Sequence, residues 1–220
     1  MQGVVFDFDG VLADTEHMHL RAYQQVFSAR GWQLDERAYF ERYLGYDDAD
    51  LIKLFAEDHQ LSVSSDERRT LVEEKTKAYL RALEDGHILY PGAAACVERI
   101  GARFPIAIAS GSLRAEIIHI LTANKLLGAF RTIVSADDVA RSKPAPDPYI
   151  AAAAGLGLGP TACVAIEDSH WGLHAARTAG MRTIALTTTS PAAKLAAADR
   201  VLDGIDQVTV QLIEGVFQST

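Results

Sequence analysis

The chain has 220 residues, 49% of them hydrophobic and 23% charged, a composition that supports a packed core and excludes wholesale disorder. Its 21 basic and 29 acidic residues leave a net charge of −8, and with no basic run or stripe this excludes nucleic acid as the principal partner. No stretch of about 18 apolar residues predicts a membrane span, and no basic segment followed by an apolar one predicts a secretory leader. The two cysteines, Cys96 and Cys163, sit in apolar segments and read as buried reduced thiols of a cytoplasmic protein.

In chain order, short apolar runs alternate with longer segments of helical spacing. Strands are expected at Val4 to Asp9, Ile106 to Ser110, Thr132 to Ser135, Val164 to Asp168, Thr183 to Thr187 and, weakly, Arg200 to Leu202. Helices are expected at Ala93 to Ile100, Arg114 to Asn124, Pro148 to Leu156, Gly172 to Ala179 and Val208 to Phe217. Strands this short, with little polar alternation, are buried on both faces of a parallel sheet. Residues 16 to 85 break the rhythm with three amphipathic helical patterns, Glu16 to Arg30, Asp48 to His59 and Asp66 to Leu83, and Asp85-Gly86 reads as the return turn. The expected organisation is a doubly wound, Rossmann-like α/β core over residues 1–15 and 86–220, with an inserted helical domain over 16–85.

Four polar loops each follow a predicted strand, and parallel sheets bind ligands beyond the carboxyl ends of their strands. The first, Asp7-Phe8-Asp9-Gly10-Val11-Leu12-Ala13-Asp14-Thr15-Glu16, sets two acids two residues apart, on one face; their repulsion calls for a cation or a retained proton. In the second, Ser110-Gly111-Ser112, a hydroxyl and loop amides precede a helix and suit phosphate; Ser112 can equally be an N-cap. In the third, Ser142-Lys143-Pro144-Ala145-Pro146-Asp147-Pro148, proline restricts the residue before it and aims one cation. In the fourth, Glu167-Asp168-Ser169, two acids end an apolar strand and suit Mg²⁺; N-capping by Asp168 or Ser169 is the alternative.

Together these motifs resemble the haloacid dehalogenase superfamily, in the branch with a helical cap inserted after the first motif. SKPAPDPY and IEDSHWGLHAARTAGM resemble β-phosphoglucomutase-like members and sugar-phosphate phosphatases. The resemblance implies a Mg²⁺-dependent phosphohydrolase working through a phospho-aspartate on Asp7. It implies that Asp7 is nucleophile and metal ligand. Asp9 is the general acid, then the base, and binds metal through its backbone carbonyl. Ser110, Gly111 and Ser112 hold the phosphoryl group, Lys143 neutralises charge, and Asp168, supported by Glu167, completes the metal site. His19, near Thr15 and Glu16, is placed at the substrate, although an ordinary packing histidine fits as well. The implied partner is a small phosphorylated metabolite, bound by a monomer. His170 and His174, four apart, do not read as a metal pair, because the nearby acids offer a harder site.

The runner-up is a phosphosugar mutase. Mutase-like relatives grip a second phosphate with a lysine and an arginine, where this chain has Leu44 and Asp48 within Tyr43-Leu44-Gly45-Tyr46-Asp47-Asp48. Acids there are expected to repel a bisphosphate by about 1 to 4 kcal/mol at 4 Å, which favours hydrolysis. Arg42 is the remaining cation that can replace the missing ones.

Overall fold

The computed structural model describes residues 2–44, 46, 48–83 and 88–218. The chain divides into two compact units, Met1–Asp14 with Gly86–Thr220, and Thr15–Asp85. The Asp85-Gly86 turn, Gly45 and Asp47 lie outside the described residues.

The first unit is built on a six-stranded parallel sheet: β1 (Gly3–Phe6), β2 (Ile106–Ala109), β3 (Thr132–Val134), β4 (Cys163–Glu167), β5 (Arg182–Leu186) and β6 (Arg200–Leu202). The order β3-β2-β1-β4-β5-β6 reverses direction at β1 and β4, where doubly wound sheets open a ligand crevice. Every expected strand forms, each within two residues of its predicted start and three of its predicted end.

The two faces of the sheet differ in residue size. Register sets Val5 beside Ala107 and Ala165, and Ala109 beside Val134. That small-residue face receives Tyr149, Ala152 and Ala153 from one helix (Asp147–Gly155) and Ala175 and Ala176 from another (His170–Ala179). The opposite face carries Val4, Phe6, Ile106, Ile108, Val164 and Ile166, all buried. There Phe6 meets Phe130 edge-on, with centroids 6.2 Å apart, an arrangement worth about 0.5–1.5 kcal/mol beyond burial. The remaining helices of this unit are Ala93–Gly101, Arg114–Ala123 and Val210–Gln218; the last runs against β4 and β5.

In the second unit the three expected helices form as α1 (Glu16–Ser28), α3 (Asp48–Asp58) and α4 (Ser65–Leu83). A short α2 (Glu36–Ala38), N-capped by Asp35, continues into a wide turn at Tyr39–Tyr43. Sequence periodicity assigned nothing there, because one wide turn carries no helical repeat. The unit's core is aromatic: Phe27 and Phe55 centroids lie 4.5 Å apart with Trp32 against both, and Tyr23 and Tyr79 are fully buried. In chain order the helices of the first unit are then α5 (Ala93–Gly101), α6 (Arg114–Ala123), α7 (Asp147–Gly155), α8 (His170–Ala179) and α9 (Val210–Gln218). Among the described residues no helix is long and apolar enough to cross a membrane.

Candidate active site

All four loops leave the carboxyl ends of β1, β2, β3 and β4, so sheet topology gathers residues up to 160 positions apart. The Asp7 amide donates to the Ile166 carbonyl at 2.9 Å, which ties the end of β1 to β4. Residues 8–13 then fold tightly, with the Leu12 and Ala13 amides donating to the Phe8 carbonyl and Val11, Leu12 and Ala13 fully buried. Gly10 has φ +74°, and a Cβ there would overlap the Asp168 carboxylate. Both the left-handed backbone and the close approach require glycine.

Asp7 is 7% exposed. Its Oδ1 accepts from the Phe8 amide at 2.7 Å and from Lys143 Nζ at 2.8 Å, while among the described residues Oδ2 has no donor. Lys143, reached through a cis Lys143–Pro144 peptide, also donates to Glu167 Oε1 at 2.6 Å. Tyr149 Oη donates to the same oxygen at 2.6 Å. Glu167 Oε2 accepts from the Asp168 amide at 3.0 Å, the Ser169 amide at 3.1 Å and Ser169 Oγ at 3.0 Å. Five donors saturate the two oxygens of a carboxylate. Glu167 therefore orients Lys143 and the start of α8, and a direct bond to a metal would have to displace one of these donors.

On the other side, the Asp9 carboxylate accepts from Ser110 Oγ at 3.2 Å and from Ser112 Oγ. Ser110 Oγ in turn accepts from the Ser112 amide at 2.9 Å. Ser112 is not the N-cap of α6; Leu113 holds that place without a side-chain cap, and the Ser112 hydroxyl serves Asp9 instead. Gly111 is exposed. Ser169 is the N-cap of α8, accepting from the Gly172 amide at 3.0 Å.

Electrostatics follows from this crowding. Burial first, then the charge of Glu167, with Asp168 and Asp9 adding, pushes Asp7 well above the ordinary carboxylate value, against the pull of Lys143. Burial would raise Glu167 too, but the Lys143 charge and the donors from Lys143, Tyr149 and the Ser169 amide hold it below its ordinary value. Burial would lower Lys143, and Asp7 and Glu167 together outweigh it, keeping the ammonium charged. Of the two acids that share Lys143, Asp7 is thus the one held above its ordinary value and Glu167 the one held below it.

Asp7, Glu167 and Asp168 are all buried, and each offers an oxygen within 4.8 Å of the others. This all-oxygen donor set with strained like charges fits a small hard divalent cation. Asp9 lies outside that set, its carboxylate turned to the two serines, so only its backbone carbonyl is left for the metal role that the resemblance implies.

Three participants escaped the sequence reading. Thr189 Oγ1 donates to Asp168 Oδ2, and Thr188 Oγ1 to the Gly10 carbonyl. The run Thr187-Thr188-Thr189-Ser190 directly after β5 was the available signal, being a fifth polar strand-end loop. Tyr149 carried no signal beyond its helix.

His19 belongs to the helical unit. Its ring stacks on Tyr79 at 4.2 Å, and its Nδ1 lies 2.7 Å from Lys75 Nζ. Lys75, 3% exposed, also donates to Asp48 Oδ1 at 2.8 Å, and Tyr23 Oη donates to the same oxygen at 2.5 Å. Burial works against the Asp48 charge, but Lys75 and Tyr23 together hold its carboxyl below the ordinary value. The expectation that Asp48 repels a second phosphate is thus revised, because its charge is internally compensated and the buried Lys75 is compensated with it. Arg42 is likewise engaged, gripping Asp58 through two bonds of 2.6 and 2.7 Å. Those bonds hold Asp58 at about 2.

Comparison with known proteins agrees with this geometry. A family model for haloacid dehalogenase-like hydrolases matches residues 4–186. The chain is 35% identical over 191 residues to protein CbbY of Rhodobacter capsulatus, covering 84% of each. It is 32% identical over 182 residues to the fructose-1-phosphate phosphatase YqaB of Escherichia coli, covering 83% of this chain and 94% of that one. The crystal structure of CbbY from Rhodobacter sphaeroides in complex with phosphate superposes with a TM-score of 0.86 at 29% identity, over 97% of this chain and 99% of the other. A family model that matches residues 4–186, with a relative 35% identical over 84% of each chain, shows that the chain belongs to the haloacid dehalogenase-like hydrolases.

Proposed function

We infer that the protein is a Mg²⁺-dependent phosphatase of a small phosphate monoester, a sugar phosphate being the favoured class, acting through an aspartyl-phosphate on Asp7. The observation that carries this reading is the asymmetry of Asp7: Oδ1 is held by Lys143 and the Phe8 amide, and among the described residues Oδ2 has no donor. A carboxylate fixed by one oxygen presents the other for attack, as nucleophilic catalysis requires.

In this reading Asp7 Oδ2 attacks phosphorus and Asp9, held by Ser110 and Ser112, delivers a proton to the departing sugar oxygen. Asp9 then takes a proton from the water that cleaves the acyl phosphate. Ser110 and the Gly111 and Ser112 segment bind the phosphoryl oxygens, and Lys143 balances their charge beside Asp7. Asp7 and Asp168, with the Asp9 carbonyl, would hold the cation, which supplies charge neutralisation between an anionic nucleophile and an anionic ester. Glu167 acts through Lys143 and the α8 start.

The helical unit, residues 16–85 in the sequence reading, is taken as the substrate-selecting cap, and His19 as its substrate contact. Hydrolysis is favoured over mutase chemistry because Lys75, which meets Asp48, and Arg42, which meets Asp58, are each tied to an acid. Two free buried cysteines support a reducing, cytoplasmic setting, and the monomer is the working state. The test is phosphate release from an aryl phosphate and a hexose 1-phosphate, with Mg²⁺ and after chelation. Free phosphate only with Mg²⁺ supports the reading. Conversion of the hexose 1-phosphate to hexose 6-phosphate with little free phosphate, in the presence of catalytic bisphosphate, establishes the mutase instead.

A further inference from the structure

The face of α8 turned away from Glu167 carries a second set of functional-looking side chains that the phosphatase chemistry does not use. His170, His174 and Arg177 follow one another at helical spacing, four and then three residues apart, and so share a stripe. Lys194, at the end of a short turn after β5, joins them in lining a groove of about 340 Å³, with Pro144 and Trp171 completing its wall. Trp171 is 51% exposed, and its ring rests against His170 with centroids 4.3 Å apart.

Two features set this groove apart from an ordinary solvated helix face. First, every ionisable group in its lining is basic, on a chain whose net charge is −8. Elsewhere in the same unit four arginines are paired within the chain, Arg103 with Glu214, Arg114 with Asp138, Arg141 with Asp147 and Arg182 with Asp199, while the exposed Arg131 has no such partner among the described residues. Among the described residues the side chains of Arg177, Lys194, His170 and His174 enter no hydrogen bond or ion pair. Second, a large indole is left half in water at the centre of this basic set. An exposed indole gives a planar ring a stacking surface, and neighbouring cations give it an anionic tail to hold.

We propose that this groove is a nucleotide site, with the base stacked on Trp171 and the phosphates held by Arg177 and Lys194. A cavity of a few hundred Å³ suits one small ligand. The acidity of the whole chain disfavours an extended nucleic acid, whose many phosphates would meet the global negative field. A single nucleotide meets only the local cations. The guanidinium and ammonium supply charge-assisted bonds to phosphate oxygens, and each imidazole offers an N–H donor. None of the side chains that hold Asp7 or Asp9 lines the groove, so the site is additional to the phosphoryl site. It adjoins that site through covalent structure: Pro144 follows Lys143, and His170 opens the helix that Asp168 and Ser169 precede.

The test is titration of the full chain with ADP in EDTA, which blocks metal-dependent turnover, followed by tryptophan fluorescence and by calorimetry. Saturable quenching by ADP is expected, with pyrophosphate, which lacks the ring, and adenosine, which lacks the charge, each binding at least about tenfold more weakly. The double substitution Arg177→Gln with Lys194→Gln, and separately Trp171→Ala, should each weaken ADP about tenfold or more. Both leave metal-dependent aryl phosphatase activity unchanged when no nucleotide is present, and Ser110→Ala leaves ADP affinity unchanged. No saturable ADP signal overturns the proposal. So does ADP binding that survives the double substitution but is lost in Ser110→Ala, which would place the nucleotide in the phosphoryl site. Equal binding of pyrophosphate and ADP overturns the stacking on Trp171.

Discussion

Replacing Gly172 by alanine separates two physical effects of opposite sign. Gly172 lies in the second turn-forming position of α8, where alanine is the better helix former by about 1 kcal/mol, so propensity alone stabilises the variant. A Cβ at this position, however, would overlap Oε1, Cδ and Oε2 of Glu167, far inside the 3.0 Å that real Cβ atoms keep. Glu167 is fully buried and cannot swing into solvent without leaving Lys143 and Tyr149. Breaking a buried, hydrogen-bonded charge pair costs about 3–5 kcal/mol, so the net change is about 2–4 kcal/mol of destabilisation. For a chain of this size that is a fall in melting temperature of about 4–16 °C, with a matching loss of turnover as Lys143 loses its orienting partner. Gly215 in α9 is the control, because a Cβ there meets nothing within 4 Å; Gly215→Ala should stabilise by up to about 1 kcal/mol. Thermal and urea denaturation followed by circular dichroism measure both, alongside aryl phosphate hydrolysis. If Gly172→Ala stabilises as Gly215→Ala does, or keeps wild-type kcat, the assigned role of Glu167 is wrong.

Three further outcomes are expected. Asp7→Asn abolishes turnover and, in EDTA, raises stability near pH 7. The folded-state value of Asp7 lies above its ordinary 3.8, so its contribution is fully present below 3.8 and is lost as pH climbs to the raised value, a loss the asparagine does not suffer; a less stable variant at pH 7, or residual turnover at matched purity, contradicts this. With Asp7 raised above its ordinary value and proposed as a Mg²⁺ ligand, calorimetry in buffers of different ionisation enthalpy should show proton release on Mg²⁺ binding, and affinity should rise with pH; pH-independent binding without proton release would refute it. Burial lifts Cys96 and Cys163 to about 11, which leaves roughly a thousandth of each thiol ionised at pH 8, so thiol reagents should react only at the rate of unfolding, and rapid labelling of the native protein would show that these cysteines are not buried.

Strand positions were legible in the sequence because each of the six runs is apolar and ends in a polar loop, and a parallel sheet aligns such ends on one side. That alignment alone gathers Asp7, Ser110, Lys143 and Asp168. What stayed illegible was which atom faces which. Nothing in the order Glu167-Asp168 marks Glu167 as the acid met by five donors, because two of them, Lys143 and Tyr149, come from about 20 residues upstream. Ser112 read equally well as a cap or as a site residue, and only the path of the loop into α6 decides for Asp9. The pairing of Asp48 with Lys75 was hidden for the same reason: 27 residues separate them, on two helices whose facing sides periodicity gives but whose contacts it does not. Tyr39–Tyr43 went unassigned because its backbone bonds span five residues, outside the repeats that periodicity detects.

The unequal faces of the sheet give the two halves of the core different tolerance to mutation. On the bulky face, an isoleucine can become valine or leucine with local repacking. On the small-residue face, helix and strand meet through alanine, and a Cβ on Gly155 would already lie 2.6 Å from Thr132 Cγ2. Any added methylene must push α7 or α8 outward. Those two helices carry Tyr149 and begin at Ser169, the donors that seat Glu167. Drift on this face therefore reaches Lys143 before it reaches global stability, and variants there should lose turnover while still folding, the pattern by which a screen for activity would mistake packing positions for catalytic ones.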